Sequence, residues 1–321
     1  MRHNFVPIAY KKEDPLAIRL PVALWNYRNG GMISPGNYNF QGLSYAFRHL
    51  KEAPAIIVIC EAKGWNKADG KPFAHVLRTV SNCFGVPYEG KIGYISRGNF
   101  GPAILFDTRR LALSYWGDIA TADADDKVNL ARFIVRGTDE VFAVLPEHWD
   151  FRSGRARMPY AERIQSYGKK QMRVLVAGDL NESASGPHLP QMDWSVATPE
   201  QLRHKGKQLP DGTWTTHTDA VDWLVGRWDP RFKWGDEGAR RVNSGRFNML
   251  AEIAAGTGTP LNEAFMATGR GSSLLIDMML INDVWLRQKQ GSLVPGTYRV
   301  IGANDPHWPS DHLLVSAVLW V

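Results

Sequence analysis

The chain has 321 residues, of which 44% are hydrophobic and 22% charged, and it carries a net charge of +6 with a sequence pI of about 9.3. This balance is typical of a soluble globular protein, and the length permits a substantial core without stabilising disulfides. The basic surplus favours an anionic partner such as nucleic acid or a phosphorylated substrate.

Apolar runs bounded by turn residues predict buried strands. In chain order they lie at residues 18–24, 55–60, 92–96, 103–106, 139–145, 173–177, 273–281 and 313–321. Helical patterns lie at residues 38–50, 68–83 and 242–255. Strands outnumber helices and alternate with them irregularly, which favours a mixed-sheet α/β sandwich over a doubly wound sheet.

The chain length is best explained by a single domain over residues 1–321 that contains an insertion at about residues 183–272. The inserted stretch is rich in Trp and Arg, and it contains no internal repeat. Its tryptophans are expected to pack within the protein rather than to stack on nucleic-acid bases. They are Trp214, Trp223, Trp228 and Trp234.

The cysteines and the apolar runs indicate a cytoplasmic protein. Cys60 and Cys83 form no zinc motif and no disulfide framework, although one disulfide between them is an alternative. Residues 1–15 lack the apolar segment of a signal peptide, and no apolar run is long enough to span a membrane. We therefore expect no membrane association, and nothing in the sequence indicates a protein partner.

Polar residues interrupt or follow six of the apolar runs, at or near one end of each. They are Asn26, Glu61, His148, Asp179 with Asn181, Asp277, and Asp311 with His312. Strand ends are where the sites of α/β proteins are usually built, so this repetition predicts that the side chains converge on one rim. Oxygen and imidazole ligands without cysteine favour Mg²⁺ or Mn²⁺ over a structural zinc.

Glu61 is the best candidate metal ligand because it follows a fully apolar strand, and Asn26 could orient it or contribute an oxygen. Asp179 and Asn181 are two residues apart, so on an extended segment both face one side. A carboxylate there can accept a proton from an attacking water, and the amide can hold that water or a phosphoryl oxygen. Taken singly, Glu61 could instead pair with Lys63, and Asn26 and Asp179 could be turn residues.

Asp277 lies within the apolar run SLLIDMMLI, where a charge is costly unless it is paired. His312 is its expected partner, because a carboxylate fixes the tautomer of an imidazole and favours its charged form. Asp311, on the opposite face of an extended segment, would then face the metal. A purely structural ion pair is the alternative for Asp277.

Residues 64–71, GWNKADGK, resemble a P-loop but do not fulfil the motif, because five residues separate the glycines and Pro72 occupies the position of the required Ser or Thr. Arg152, Arg155 and Arg157 follow His148 and could grip a phosphate, or they could simply be solvated.

Taken in order, these motifs resemble the endonuclease/exonuclease/phosphatase superfamily, which includes DNase I-like and exonuclease III-like enzymes. The matching segments are LWN at Asn26, ICEAK at Glu61, GPAILFDT at residues 101–108, LPEHWD at His148, AGDLN at Asp179 and Asn181, LLID at Asp277, and SDH at Asp311 and His312. The resemblance implies a four-layer α/β sandwich with two central mixed β-sheets, and hydrolysis of a phosphoester with Mg²⁺ or Mn²⁺.

By position, the resemblance also implies a function for each residue. Glu61 would bind the metal with support from Asn26, Asp179 and Asn181 would activate water, His312 paired with Asp277 would contact the scissile phosphate, His148 would be a further phosphate ligand, and Asp311 would be a second metal-site carboxylate. The chain departs from the family at Cys60, where Gln is frequent, and at Arg28, where exonuclease III-like members often carry Asp or Asn.

The sequence therefore predicts a metal-dependent phosphodiester hydrolase, foremost a nuclease that acts on DNA or RNA. One alternative is a phosphatase or a lipid or inositol-phosphate phosphodiesterase with the same site. Another is a non-catalytic nucleic-acid-binding protein that has kept the fold, although the intact set of acidic residues and histidines argues against it.

Overall fold

The computed structural model describes residues 18–94, 100–117, 128–236, 241–242, 245–270, 273–287 and 292–321. The strands in these ranges are β1 (Arg19–Asn26), β2 (Met32–Ser34), β3 (Asn37–Tyr38), β4 (Ile56–Cys60), β5 (Tyr88–Ile92), β6 (Ala103–Asp107), β7 (Leu111–Gly117), β8 (Leu130–Val135), β9 (Val141–His148), β10 (Arg173–Asp179), β11 (Gly206–Gln208), β12 (Trp214–Thr216), β13 (Arg227–Trp228), β14 (Arg241–Val242), β15 (Phe247–Met249), β16 (Asp277–Asn282), β17 (Arg299–Ile301) and β18 (Leu314–Trp320). The α-helices are α1 (Gln41–Phe47), α2 (Lys71–Phe84), α3 (Gly154–Gln165), α4 (Pro199–Lys205), α5 (Asp219–Val225), α6 (Leu250–Gly256), α7 (Leu261–Ala264) and α8 (Asp283–Leu286).

Two mixed sheets form the centre of the molecule. The first has the strand order β17-β18-β1-β4-β6-β5, and the second has the order β15-β16-β10-β9-β8-β7. In the first sheet, β1 runs parallel to β4 and antiparallel to β18. In the second, β10 runs parallel to β9 and antiparallel to β16. The two sheets therefore share one plan, in which a parallel pair is flanked by an antiparallel strand.

Alternation along the strands explains how the layers stack, because successive side chains of a strand face opposite sides of its sheet. In β4, Ile56 and Val58 pack toward the second sheet, whereas Ile57 and Ile59 pack toward α1 and α2. Helices α3, α5 and α6 cover the far side of the second sheet with buried apolar residues. The result is the four-layer α/β sandwich with two central mixed sheets that the sequence resemblance implied.

Three predicted elements differ from the observed ones. The helix predicted at residues 242–255 begins only at Leu250, because Phe247–Met249 pairs with β16 as an edge strand. Short apolar runs do not distinguish a strand from a helix without knowledge of such a partner. The strand predicted at residues 273–281 begins only at Asp277. The strand predicted at residues 92–96 shares only Ile92 with β5, which ends there, and residues 95–96 of the prediction lie outside the described ranges.

The thiols and the helices bear on two further expectations. Cys60 and Cys83 are both free, which rules out a disulfide between them. Of the helices in the described ranges, none combines the length and the apolar character needed to cross a bilayer.

The region at residues 183–272 contributes short helices and hairpins to the second-sheet side of the molecule. Trp228 and Trp234 pack around His188, with ring centroids 4.5 and 4.6 Å from the imidazole. Trp223, in contrast, is 44% exposed.

Packing between the sheets predicts an unequal cost for two identical truncations. Ile56→Ala removes a fully buried side chain from β4 and should lower the free energy of unfolding by about 2–5 kcal/mol, because a cavity remains between the sheets. Ile134→Ala, at a 37% exposed position of β8, should cost under about 1 kcal/mol. Urea denaturation measures both values, and equal losses would contradict the packing described here.

Candidate active site

The strand register brings the polar strand ends together. Asn26 ends β1 and is aligned with Cys60, so Glu61 emerges beside it from the parallel strand β4. In the second sheet, Asp179 ends β10 and is aligned with both His148 and Asp277. Because β16 runs antiparallel to β10, its first residue, and not its middle, meets the end of β10.

The side-chain amide of Asn26 joins carboxylates from the two sheets. Its Nδ2 donates to Glu61 Oε1 at 3.1 Å and to Asp179 Oδ2 at 2.8 Å. The second Glu61 oxygen accepts the backbone N–H of Asn29 at 2.6 Å. Glu61 adopts a left-handed backbone conformation (φ 60°), which is uncommon for a residue other than glycine. Both carboxylates are therefore held in fixed orientations at one rim.

Two imidazoles face Asp179. His312 Nδ1 lies 2.8 Å from Asp277 Oδ2, and its Nε2 lies 3.8 Å from Asp179 Oδ2. His148 Nε2 lies 3.9 Å from the same Asp179 oxygen. Asp277, His312 and Asp179 thus form a continuous series of carboxylate, imidazole and carboxylate. The pairing that the sequence predicted between Asp277 and His312 is present.

The charges of this series follow from burial and from its partners. Burial lowers the pKa of His312, but the carboxylates of Asp277 and Asp179 outweigh it and raise the pKa to about 10, so the ring is cationic at neutral pH. Burial would raise the pKa of Asp179, yet the positive charges of His312, His148 and Lys205 lower it below its usual range. Asp179 is therefore an anion at neutral pH.

The oxygen donors at the rim fit a hard divalent cation. Asn26 Oδ1 and Asp277 Oδ1 are buried and accept no hydrogen bond from any residue in the described ranges. An orphaned buried oxygen is costly unless a cation or water satisfies it. Asn26 Oδ1 and the Glu61 carboxylate are donors of the kind that Mg²⁺ and Mn²⁺ prefer. One ligand atom from each of Asp179, Asp277 and His312 also lies within 4.8 Å of the others.

Asp311 lies at the exposed edge of this group, close enough to His312 that its charge helps to raise the pKa of the imidazole. Its carboxylate is 48% exposed and lies 3.6 Å from the Arg28 guanidinium Nε, and its role as a second metal-site carboxylate stays a prediction. Arg28 occupies the position at which exonuclease III-like proteins often carry an acidic or amide residue, so the departure noted in the sequence supplies Asp311 with an ion-pair partner.

Lys205 is a site residue that the sequence analysis missed. Its Nζ donates to the side-chain Oδ1 of Asn181 at 2.6 Å and to the Asn181 carbonyl at 2.9 Å, while Asn181 Nδ2 donates to the Trp149 carbonyl at 3.1 Å. Burial lowers the pKa of Lys205 to about 8, and the charge of Asp179 opposes this. A capping box at Thr198 and Gln201 could have identified helix α4 in the sequence. It could not have shown that the last residue of this helix, Lys205, contacts Asn181.

The arginines after His148 have other partners. Arg157 is fully buried and donates from Nε to Glu182 Oε2 at 2.6 Å. Arg152 pairs with Asp150 at 2.6 Å. Arg155 is exposed. The hypothesis that this segment grips phosphate is therefore wrong for Arg157, which stabilises the fold beside the site.

Cys60 is the other position at which the chain departs from the family. Its thiol accepts the backbone N–H of Asp179 at 3.2 Å and donates to the Glu147 carbonyl at 3.3 Å. Burial raises the pKa of the thiol, so it remains neutral and can donate. Cys60 therefore links β4 to the strands that carry Asp179 and His148.

Comparison with known proteins places this arrangement in a known fold. No protein-family model matches the sequence, and no curated protein matches it. Among solved structures, an endonuclease/exonuclease/phosphatase from Bacteroides vulgatus matches with a TM-score of 0.54 and 13% identity, over 94% of this chain and 98% of that chain. This chain has the endonuclease/exonuclease/phosphatase fold.

Two other structures with this fold carry more specific names. The human Nocturnin catalytic domain, solved with a bound sulfate anion, matches with a TM-score of 0.51 and 13% identity, over 94% of this chain and 95% of that one. A mannosyl-6-phosphatase from Bacteroides thetaiotaomicron matches with a TM-score of 0.50 and 14% identity, over 94% and 99%. At these identities the likeness establishes the fold alone.

A buried carboxyl group beside His148 predicts a dependence of stability on pH. Burial raises the pKa of Glu147 to about 7, opposed by the charge of Arg163 and by the hydrogen bond from Trp149 Nε1 at 3.0 Å. Between about pH 4.5 and 7 the unfolded chain loses this proton first, so the contribution of Glu147 to stability falls as the pH rises.

Glu147→Gln should remove that dependence, because an amide does not titrate. The free energy of unfolding of the variant minus that of the natural protein should therefore be larger at pH 8 than at pH 5. Urea denaturation at both pH values measures this difference. A stability difference that is the same at both pH values would show that Glu147 does not titrate in this window.

Proposed function

We propose that this protein is a divalent-metal-dependent phosphodiesterase, foremost a nuclease, that hydrolyses its substrate by in-line attack of water. The observation that carries the proposal is the Asn26 amide, which joins Glu61 to an anionic Asp179 opposite two imidazoles. The shared fold adds support, because structures with this fold include named phosphoesterases. When bound, the cation would supply Lewis-acid stabilisation of phosphoryl oxygen charge.

The remaining steps, cation binding, proton acceptance and neutralisation of charge, would be performed by residues of the chain. Glu61, with Asn26 Oδ1, would hold the cation. Asp179 would orient the attacking water and accept its proton, and this requires the anionic form described above. As the new P–O bond forms and the bond to the leaving oxygen breaks, the cationic His312 would neutralise charge on the phosphoryl oxygens. Asp277 would fix the tautomer and orientation of that ring.

His148 and Lys205 would complete the electrostatic environment. His148 Nε2 lies 3.9 Å from the same Asp179 oxygen that Asn26 contacts, and it would contact a second phosphoryl oxygen. Lys205 acts through Asn181 as a positioning residue, because it holds both oxygens of that residue and adds a positive charge near Asp179.

A phosphatase that acts on a small phosphoester is the second candidate, favoured by the fold shared with the mannosyl-6-phosphatase. A panel of plasmid, single-stranded DNA, RNA and inositol phosphates, assayed with Mg²⁺ and with Mn²⁺, separates the candidates. Cleavage of inositol phosphates alone would favour the second.

Removal of the Asp179 charge should abolish activity without unfolding the protein. Asp179→Asn should lower kcat on a phosphodiester by at least about 100-fold, because the amide cannot accept the proton of water. The matched control is Asp193→Asn, which makes the same change at an exposed position that bonds Ser195. Undiminished cleavage by the Asp179 variant would refute the role of this carboxylate.

Lys205→Met should lower kcat by about 10- to 100-fold and leave KM little changed, because Asn181 loses the ammonium that fixes it and Asp179 loses a neighbouring cation. Lys207→Met is the control, since the ammonium of Lys207 pairs with Asp219 on the exposed surface. Steady-state kinetics measure both. A loss of stability with unchanged kcat would instead mean that Lys205 is purely structural.

A further inference from the structure

A basic groove adjoins the candidate site on the side of the first sheet. It lies between the β2–β3 hairpin and the segment that leads from β4 into α2, and its cavity has a volume of about 650 Å³. Its lining includes Lys63, Lys67, Lys71 and Arg78, and none of the described residues that line it carries a carboxylate. We call this cavity the β4–α2 groove.

The cations of the groove lack ion-pair partners among the described residues. Lys67, Lys71 and Arg78 are exposed, and neither they nor Lys63 form an ion pair with any residue in the described ranges. A concave surface that concentrates like charges focuses the potential and attracts a polyanion. The four cations therefore favour an anionic ligand with several charges over a single small anion.

Aromatic rings accompany these cations in the groove. Tyr38 and Phe40 stack with ring centroids 5.0 Å apart and planes at 10°, and His75 lies 5.0 Å from Phe40. The Tyr38 hydroxyl donates to the Gly64 carbonyl at 3.1 Å, which holds the hairpin against the following loop. Rings beside cations are the combination that binds the bases and phosphates of a single nucleic-acid strand.

The loop that supplies the lysines is the segment that resembles a P-loop in sequence. It does run from a strand into a helix, from β4 to α2. However, Ala68, Asp69 and Gly70 all adopt left-handed conformations, with φ of 49°, 55° and 73°. This turn separates Lys67 from Lys71, and both line the groove, whereas a P-loop gathers its backbone amides around one phosphate.

Lys63 connects the groove to the candidate site. Its Nζ donates to Asn29 Oδ1 at 2.9 Å, and the backbone N–H of Asn29 binds Glu61 Oε2. The same Nζ lies 4.8 Å above the Phe100 ring, which is 6.5 Å from the His148 imidazole. A chain bound in the groove could therefore continue to the residues that surround Asp179.

We propose that the β4–α2 groove binds a single-stranded segment of the nucleic-acid substrate next to the scissile phosphate. The cations contact its phosphates and Tyr38 contacts its bases. This inference rests on the proposed function for the site itself. A single strand fits better than a duplex, because only unpaired bases expose their faces to rings inside a groove, and a concave surface is ill suited to a flat anionic membrane.

The test measures binding separately from cleavage. In the Asp179→Asn background, fluorescence anisotropy with a labelled oligothymidylate should show that Lys67→Glu/Lys71→Glu weakens binding by at least about tenfold. Loss of two phosphate contacts should also reduce the slope of log K against log salt by about 1.4. Lys67→Ser/Arg78→Ser, which avoids charge reversal, should give the same direction of change.

The matched control is Lys51→Glu/Lys169→Glu, which changes the net charge equally. Both control residues are exposed and precede β4 and β10, at the ends of these strands opposite to the site. This control should change oligothymidylate affinity by less than about twofold. Equal weakening by the control and the groove variant would overturn the inference, since net charge alone would then explain the binding.

Cleavage assays with otherwise natural protein distinguish the groove from the site. Lys67→Glu/Lys71→Glu should lower kcat/KM on an oligonucleotide by at least about tenfold and leave hydrolysis of bis(p-nitrophenyl) phosphate unchanged, whereas Glu61→Gln should reduce both. If the natural protein cleaves neither substrate, the proposed function is refuted. The binding measurement would still show whether the groove binds a single strand. Binding of phosphatidylserine vesicles without binding of oligothymidylate would overturn the groove inference.

Discussion

The site depends on one buried amide that reaches across two sheets. Asn26 belongs to the first sheet and Asp179 to the second, yet the Asn26 amide donates to Asp179 and to Glu61 at the same time. This geometry exists only if the two sheets stack in one registration, which the close-packed residues between them enforce. The Cys60 thiol makes a second link between the sheets, so the positions of the carboxylates are set by the packing of the core.

Electrostatic balance explains why acidic groups can be buried at the rim. Asp179 and Asp277 lie side by side with almost no exposure, an arrangement that would be unstable without compensating cations. His312 lies between them, and Lys205 approaches from the region at residues 183–272. That region therefore contributes a charge to the site as well as packing.

Much of the fold and of the site could be predicted because the decisive signals are local. Uniformly apolar runs with a polar residue at the end predicted β1, β4 and β10. Asn26 and Asp179 are the last residues of β1 and β10, and these strand ends lie at the same rim, where the two side chains meet. The edge strand Phe247–Met249 and the position of Lys205 depend on partners far along the chain, which no local pattern encodes. The contact between Asp311 and Arg28 likewise joins residues that are distant in sequence.

The segment at residues 64–71 departs from a P-loop in structure as it does in sequence. Its glycine spacing and Pro72 do not match the motif, although it runs from strand β4 into helix α2 as a P-loop would. The left-handed turn at Ala68 and Asp69 instead spreads the lysines along a groove, where they act as separate charges rather than as part of one cradle. Because phosphates along a strand are spaced and those of a nucleotide are clustered, this spacing supports the proposal of a polymeric substrate. Under that proposal, the rim would supply the chemistry of hydrolysis and this loop would help to select the phosphoester that reaches it.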